Sequence, residues 1–255
     1  MHNDSINIFA IPVAKLTSRQ ALDAIVEMAK SHNRERARMV ATLNVDFVSN
    51  AVECWPFKGN GELWGYLKNA ELVTADGMPI VLLSRLIGNP LPERVTGADL
   101  VPAIFSRFAE EGLSLYVLGA SQPSLDKAIA KLPKAKVAGL DTSFVSLEQN
   151  QPEIIARINA AKPDLLFVAL GNPKQELWMG RNASKLKVPV MIGVGGTFNF
   201  ISGNVKRAPR WMQKCGLEWC YRIIQEPGRL WRRYLYGLFK YAWLSAKVLC
   251  GGKFQ

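Results

Sequence analysis

The sequence predicts an α/β fold with a mostly parallel sheet flanked by helices, followed by a basic, amphipathic helical appendage at the C-terminus. Three observations indicate this fold. Short apolar runs alternate with amphipathic segments through most of the 255 residues. These runs are apolar on both faces, as buried parallel strands are. The alternation stops after Pro209, where Trp, Arg and Leu become frequent. We therefore expect two parts, residues 1–202 and residues 203–255.

Seven apolar runs have the length of strands, and amphipathic segments separate them. The predicted strands are Ile6–Phe9, Met39–Leu43, Glu71–Thr74, Leu115–Leu118, Ala135–Gly139, Leu165–Leu170 and Val190–Val194. Helices are predicted near residues 18–31, 46–54, 79–87, 99–111, 122–132, 149–161 and 174–186. Because ligands of such folds bind beyond the carboxyl ends of the strands, the loops after these strands are the candidates for chemistry.

The net charge of +11 is concentrated in the appendage. Residues 203–255 hold eleven Lys and Arg against two Glu, which leaves +2 for the preceding 202 residues. Pro227-Gly228 divides this region into two predicted helices. In the second helix a basic stripe covers an arc of about 100° beside a broad apolar face, and it consists of Arg229, Arg232, Arg233, Lys240 and Lys247. This pattern predicts a helix lying on an anionic membrane surface, and the alternative is a helix docked on the body with solvated cations.

Composition excludes several classes of protein. With 49% apolar and 21% charged residues the chain is not disordered. It lacks an apolar run of about 18 residues that would predict a membrane span, and its first residues do not resemble a secretory signal. Four cysteines without a CxxC pair indicate a reducing, cytosolic setting, and with two histidines we expect no metal site. The sequence has no Asp-x-Asp, which argues against a two-carboxylate clamp for a metal-bound diphosphate.

Five loops carry polar or glycine-rich segments, and four of them lie at the ends of predicted strands. They are Thr42-Leu43-Asn44, Ala75-Asp76-Gly77, Arg94-Val95-Thr96-Gly97-Ala98-Asp99, Gly171-Asn172-Pro173-Lys174-Gln175-Glu176 and Gly193-Val194-Gly195-Gly196. Taken singly, each has an ordinary structural explanation. Asn44 is either a ligand contact or a helix cap, and Asp76 is either part of a turn or a general base. Together, at one edge of a parallel sheet, the loops indicate a nucleotide-type ligand.

In this order the loops resemble the WecG/TagA/CpsF glycosyltransferases, glycosyltransferase family 26. Further matching segments are Lys206-Arg207-Ala208-Pro209, Gly216-Leu217-Glu218-Trp219, Arg222 and Glu226-Pro227. The resemblance implies a Rossmann-like domain that moves a hexosyl unit, of N-acetylmannosamine type or glucose, from a UDP-sugar to an undecaprenyl-diphosphate-linked sugar. It implies an inverting reaction without metal or cofactor, for bacterial surface polysaccharides, at the cytoplasmic face of the inner membrane.

The resemblance also implies roles for individual residues. Asp76 matches the catalytic base, with Thr42 and Asn44 beside it in the active site. The donor side matches Arg94, Asp99, Gln175, Gly195 and Gly196, and the acceptor diphosphate side matches Arg222, Arg229 and Arg232. Trp55–Gly65 departs from the family pattern. Oligomers are known in the family, so a homo-oligomer is a further expectation.

Two other classes of function are compatible with the basic appendage. One is a nucleotide- or nucleic-acid-binding protein, because interleaved aromatic and basic residues suit a phosphate backbone. The other is a membrane scaffold without catalysis. The confinement of the charge to one stripe argues against nucleic acid as a partner, and release of UDP from a UDP-sugar distinguishes an enzyme from a scaffold.

Overall fold

The computed structural model describes residues 4–31, 33–252 and 254, apart from the side chains of Lys214 and Arg229. Both histidines, His2 and His32, lie outside the described residues. The strands are β1 (Ser5–Ile8), β2 (Ile11–Ala14), β3 (Arg38–Leu43), β4 (Leu72–Ala75), β5 (Ser114–Gly119), β6 (Lys136–Asp141), β7 (Leu165–Ala169) and β8 (Val190–Gly193). The helices are α1 (Ser18–Lys30), α2 (Val45–Ala51), α3 (Gly61–Lys68), α4 (Met78–Leu86), α5 (Gly97–Glu111), α6 (Gln122–Lys131), α7 (Pro152–Ala161), α8 (Lys174–Asn182), α9 (Thr197–Ser202), α10 (Arg210–Lys214), α11 (Glu218–Gln225) and α12 (Pro227–Leu249).

Six strands form one all-parallel sheet in the order β4-β3-β8-β7-β5-β6, which confirms the predicted fold class. Alternate residues of each strand pack on opposite faces: in β7, Leu166 and Val168 belong to one buried cluster, whereas Leu165 and Phe167 belong to the other. Helices α2, α3, α4, α7, α8 and α12 contribute to the first cluster. Helices α1, α5, α6 and α9 contribute to the second. The sheet is therefore covered on both faces, as its apolar strands require.

The first predicted strand does not join this sheet. The chain reverses after Ile8, because Phe9 and Ala10 both have positive φ (54° and 59°), and β1 pairs with β2 in a separate antiparallel hairpin. Two positive φ values are the geometry of a tight two-residue turn, which normally carries Asn or Gly. Phe9 takes this conformation while only 2% exposed and packed edge-on against Tyr241. Tertiary packing, rather than turn composition, therefore fixes the hairpin.

Adjacent strands β3 and β8 send their following helices to opposite faces of the sheet. Phe47 and Val48 of α2, after β3, pack in the first cluster, and Phe198 of α9, after β8, packs in the second. A crevice opens at the carboxyl ends of two parallel strands where the chain diverges in this way. The fold thus places the loops after β3 and β8, and those of their neighbours β4 and β7, around one opening.

The appendage forms α10, α11 and α12, and α12 packs against the body along α2. Tyr241 and Leu244 of α12 belong to the first buried cluster, and the hydroxyl of Tyr241 donates to the carbonyl of Pro79 at 2.8 Å. The predicted division into two helical pieces at Pro227 is confirmed, with α10 as an additional short helix. The boundary between residues 202 and 203 stays a prediction.

The predicted basic stripe of α12 is only partly exposed: Arg232, Arg233 and Lys247 are exposed, whereas Lys240 is not. Lys240 is fully buried, and its Nζ donates to the carbonyls of Ser49 and Lys58 at 2.5 Å each. Arg233 pairs with Asp46 at 2.9 Å. The expectation of an outward-facing cation is therefore wrong for Lys240, because a lysine stem can pack in an apolar contact when its amine finds carbonyl oxygens.

An apolar row is also exposed on α12. Its large members are Trp231, Leu235, Phe239, Trp243 and Leu249, spaced four residues apart as far as Trp243 and six from there to Leu249, and Phe239 is 73% exposed. This spacing places them on one side of the helix. Within the described part of the chain, no helix has both the length and the apolarity needed to cross a membrane.

Candidate active site

A crevice of about 450 Å³ lies at the carboxyl edge of β3, β4, β7 and β8. Its lining includes the predicted site residues Thr42, Asn44, Asp76, Arg94, Gln175, Gly195, Gly196 and Arg222. The appendage closes one side, where Glu218, Trp219, Glu226, Leu230, Arg233, Tyr234 and Leu238 also line the space. The body and the appendage therefore share one opening, with a polar floor of strand-end loops.

Thr42 and Asn44 bracket the end of β3. Thr42 is 4% exposed at the crevice floor. The side-chain oxygen of Asn44 accepts hydrogen bonds from the backbone N–H groups of Asp46 and Phe47 at 3.0 and 3.3 Å. Asn44 is thus the N-cap of α2, one of the two roles that the sequence left open. It also lines the crevice, where it can contact a ligand.

Asp76 follows β4, and its backbone N–H donates to the carbonyl of Leu43 at 2.8 Å, which holds it beside the end of β3. One carboxylate oxygen accepts a long hydrogen bond of 3.5 Å from the N–H of Gly97. Burial raises the pKa of Asp76 to about 7, against the opposing effect of Arg94 and with a further rise from Glu218. A carboxyl group with a weak partner and a near-neutral pKa can accept a proton from a substrate.

Two arginines and two carboxylates form an ion network at the mouth of the crevice. Arg94 Nη1 lies 3.0 Å from Oε2 of Glu218 in α11, and Arg207 Nε lies 3.3 Å from Oε1 of the same residue. Arg207 Nη1 also lies 2.7 Å from Oδ1 of Asp99, whose other oxygen accepts from the hydroxyl of Thr96 at 2.7 Å. Asp99 is absent from the crevice lining among the described residues and orients Arg207, which does line it.

The predicted arginines of the appendage occupy different places. Arg222 lines the crevice, with its guanidinium over the ring of Phe200 at 5.3 Å. Arg232 is exposed and stacks over Trp231, away from the described lining. Arg229 belongs to α12, but its side chain lies outside the described part of the structure. Arg233, which was not predicted to bind the acceptor, lines the crevice.

The glycine loops after β7 and β8 are joined by one side chain. Gln175 is 2% exposed, and its Oε1 accepts from the backbone N–H groups of Gly171 at 3.1 Å and Gly195 at 2.9 Å. Both glycines have positive φ, 77° and 51°, which other residues adopt only with strain. Gly195 and the neighbouring Gly196 line the crevice, so a ligand can approach their backbone closely.

Sequence reasoning gave no role to four charged residues at the site: Glu176, Arg207, Glu218 and Arg233. Glu176, Arg207 and Glu218 lie within the motifs quoted above, and the opposite charges of Arg207 and Glu218 were a signal that they could pair. Glu176 follows Gln175 directly, but only Gln175 is part of the described crevice lining, and Glu176 is fully buried. No group of three or more His, Cys, Asp or Glu side chains in the described residues is close enough to hold a metal ion.

Comparison with known proteins gives concordant matches. The model of the Glycosyl transferase WecG/TagA/CpsF family matches residues 6–254. An N-acetylglucosaminyldiphosphoundecaprenol N-acetyl-beta-D-mannosaminyltransferase of Bacillus subtilis is 30% identical over 227 residues, covering 87% of this chain and 84% of the relative. The protein of that name from Bacillus spizizenii is 35% identical over 173 residues, 66% of each chain.

Proposed function

The chain belongs to the WecG/TagA/CpsF family of glycosyltransferases, and we propose that it transfers an N-acetylmannosamine-type hexosyl unit from a UDP-sugar to a polyprenyl-diphosphate-linked sugar. The observation that carries the proposal is the place of Asp76: a carboxyl group with a raised pKa lines a crevice that four arginines also line, Arg94, Arg207, Arg222 and Arg233. The names of the two Bacillus relatives support the acceptor and the transferred sugar.

Asp76 acts as general base in this mechanism. Its carboxylate takes the proton from the acceptor hydroxyl while that oxygen bonds to the anomeric carbon of the donor. The bond from this carbon to the β-phosphate oxygen breaks, and its electron pair leaves with UDP. Attack from the face opposite the leaving group inverts the configuration at the anomeric carbon. A base placed in this way contributes about 10²–10⁴-fold to the rate.

The arginines neutralise the phosphate charge without a metal ion. Arg94 comes from the body, whereas Arg207, Arg222 and Arg233 come from the appendage. A guanidinium presents two parallel N–H groups to a phosphate, which suits both the leaving UDP and the acceptor diphosphate. Glu218 now holds Arg94 and Arg207, so a bound diphosphate would share or displace that carboxylate.

The apolar row of α12 supports a peripheral position on an anionic membrane, at the cytoplasmic face where a soluble nucleotide sugar meets a lipid acceptor. Exposed Trp and Phe side chains on one side of a helix are typical of interfacial contact. Lys206, Arg210 and Arg232 are exposed cations of the appendage that suit anionic lipids. In this arrangement the acceptor diphosphate enters the crevice beside the helix that rests on the lipid.

A transfer assay tests the enzymatic part of the proposal. The full chain is incubated with a prenyl-diphosphate N-acetylglucosamine of short lipid length and, in separate reactions, UDP-N-acetylmannosamine, its uronic acid and UDP-glucose. We expect UDP release and a disaccharide lipid of matching mass with the N-acetylmannosamine donor, also in the presence of EDTA. Binding of oligonucleotides without any UDP release would contradict the proposal and favour a phosphate-binding protein.

Vesicle sedimentation tests the membrane part. Phe239→Ser removes a large apolar side chain from the row of α12, and we expect it to weaken partition to phosphatidylglycerol vesicles about tenfold. Phe144→Ser is the matched control, because Phe144 is 79% exposed and lies outside the appendage. Equal binding by both variants and the unaltered protein would remove the row of α12 from the membrane contact.

A further inference from the structure

A second carboxyl group lies directly behind the crevice. Glu176, in the first turn of α8, is completely buried, and it is absent from the crevice lining among the described residues. Its Oε1 accepts from Nε2 of Gln175 at 2.6 Å, and its Oε2 accepts from Nδ2 of Asn172 at 2.9 Å. The mechanism above does not use this residue.

The bond from Gln175 fixes the orientation of an amide that faces the ligand space. The Oε1 of Gln175 accepts from two backbone donors, the N–H groups of Gly171 and Gly195. Because both of these groups are donors, the amide oxygen has to face them, and the NH₂ group has to face Glu176. An acceptor at position 176 is therefore what holds Gln175 in the orientation that joins the two glycine loops.

The bond from Asn172 extends the network to the other side of the crevice. Its Oδ1 accepts from Nδ2 of Asn50 in α2 at 2.6 Å, so its NH₂ group also faces Glu176. Glu176 thus links the loop after β7 to the helix that follows β3. Both carboxylate oxygens receive donors, and a protonated carboxyl group would direct its own O–H at one of them.

The absence of a side chain at Gly193 leaves space for the side chains of Gln175 and Glu176. A Cβ on Gly193 would lie 2.6 Å from Nε2 of Gln175 and 2.9 Å from Oε1 of Glu176. The φ of Gly193 is not in the left-handed region, so it is the close approach of these two side chains, rather than its conformation, that requires glycine. The network is built into the end of β8.

We propose that Glu176 is a positioning residue for the nucleotide donor: through the amide of Gln175 it holds the turns at Gly171 and Gly195 that line the crevice. This inference rests on the proposed function for the identity of the ligand. It assigns Glu176 to donor binding and leaves proton transfer to Asp76. Loss of the carboxylate therefore weakens donor binding and loosens both turns, with little effect on the chemical step.

Glu176→Gln tests the proposal, because glutamine has the same shape but cannot accept from both NH₂ groups. We expect KM for the UDP-sugar to rise about tenfold with kcat within about threefold, since loss of a charged hydrogen bond costs roughly this factor. Hydrogen–deuterium exchange of the amides at Gly171 and Gly195 should accelerate about tenfold. Glu153→Gln, an exposed position in the first turn of α7, is the matched control and should change neither quantity.

A second variant shows whether Glu176 acts through Gln175. Gln175→Met keeps the length of the side chain but removes the amide, and adding Glu176→Gln to it should raise KM no further. Additive effects would overturn the proposal, as would a lower kcat with unchanged KM and unchanged exchange at both glycines. If the unaltered protein does not bind UDP at all, the proposed donor fails, and the exchange rates at Gly171 and Gly195 still decide the role of Glu176.

Discussion

Two carboxyl groups flank the floor of the crevice, Asp76 after β4 and Glu176 at the start of α8, and burial raises the pKa of both to about 7. Their surroundings differ in two respects. Asp76 lines the crevice and has one long hydrogen bond of 3.5 Å, from Gly97. Glu176 is enclosed and has a side-chain donor within 3 Å of each oxygen. Two carboxyl groups with similar pKa values therefore differ in whether a ligand can reach them.

The difference shows that solvent access and hydrogen-bond geometry decide the role of a buried carboxyl group. Asp76 can exchange a proton with a bound hydroxyl, because one side of it faces the ligand space. Glu176 is fully buried and absent from the described crevice lining, so a bound hydroxyl cannot reach it, and its two hydrogen bonds hold it in place. Asp76, after β4, is therefore placed for proton transfer, whereas Glu176, after β7, is placed to hold the loops in position.

The largest effect is expected for Asp76→Asn. An amide cannot take the acceptor proton, so kcat should fall at least about 100-fold while UDP affinity changes by less than about threefold. Single-turnover transfer and calorimetric binding of UDP measure the two quantities. Asp126→Asn, at an exposed site on α6, is the control and should leave both unchanged. Near-normal turnover in Asp76→Asn would remove the distinction between the two carboxyl groups.

The same variant should also be more stable than the unaltered protein. The pKa of Asp76 is about 7 in the folded chain and about 4 when unfolded, so ionisation opposes folding. This penalty is absent below pH 4, grows between pH 4 and 7 and is complete above pH 7. Asparagine removes it, and we expect a gain of about 1 kcal/mol, or about 2–4 °C in the unfolding midpoint, at pH 8 and no gain at pH 4. A loss of stability at pH 8 would contradict the burial of an unpaired charge.

The position of Asp76 was predictable, whereas the network around Glu176 was not. A carboxylate directly after a strand of a parallel sheet lies at the ligand edge whatever the rest of the chain does. The two donors to Glu176, Gln175 and Asn172, connect it to Gly195 after β8 and to Asn50 in α2, so its role depends on how distant segments meet. The spacing of residues in the sequence does not predict side-chain contacts between distant segments.

The appendage shows the same limit. The periodicity of α12 placed its cations within one arc, but it did not say which side of the helix meets the body. Lys240 is buried because the carbonyls of Ser49 and Lys58 are within reach of its amine. The ion pair between Arg94 and Glu218 likewise depends on the position of α11. Element boundaries and strand-end loops follow from local patterns, and contacts between body and appendage do not.

The smallest effect is expected for Glu218→Gln. This variant shows which carboxyl group, Asp76 or Glu176, produces the acid limb of the pH profile. The negative charge of Glu218 raises the pKa of Asp76 and does not act on that of Glu176. Neutralising it should move the acid limb of the pH profile of kcat/KM to lower pH, with the rate at pH 8 within about twofold. Profiles of Glu218→Gln and Glu153→Gln, measured in parallel, check this. If the limb stays in place in Glu218→Gln but moves in Glu176→Gln, the titrating group is Glu176, and the two carboxyl groups exchange the roles given to them here.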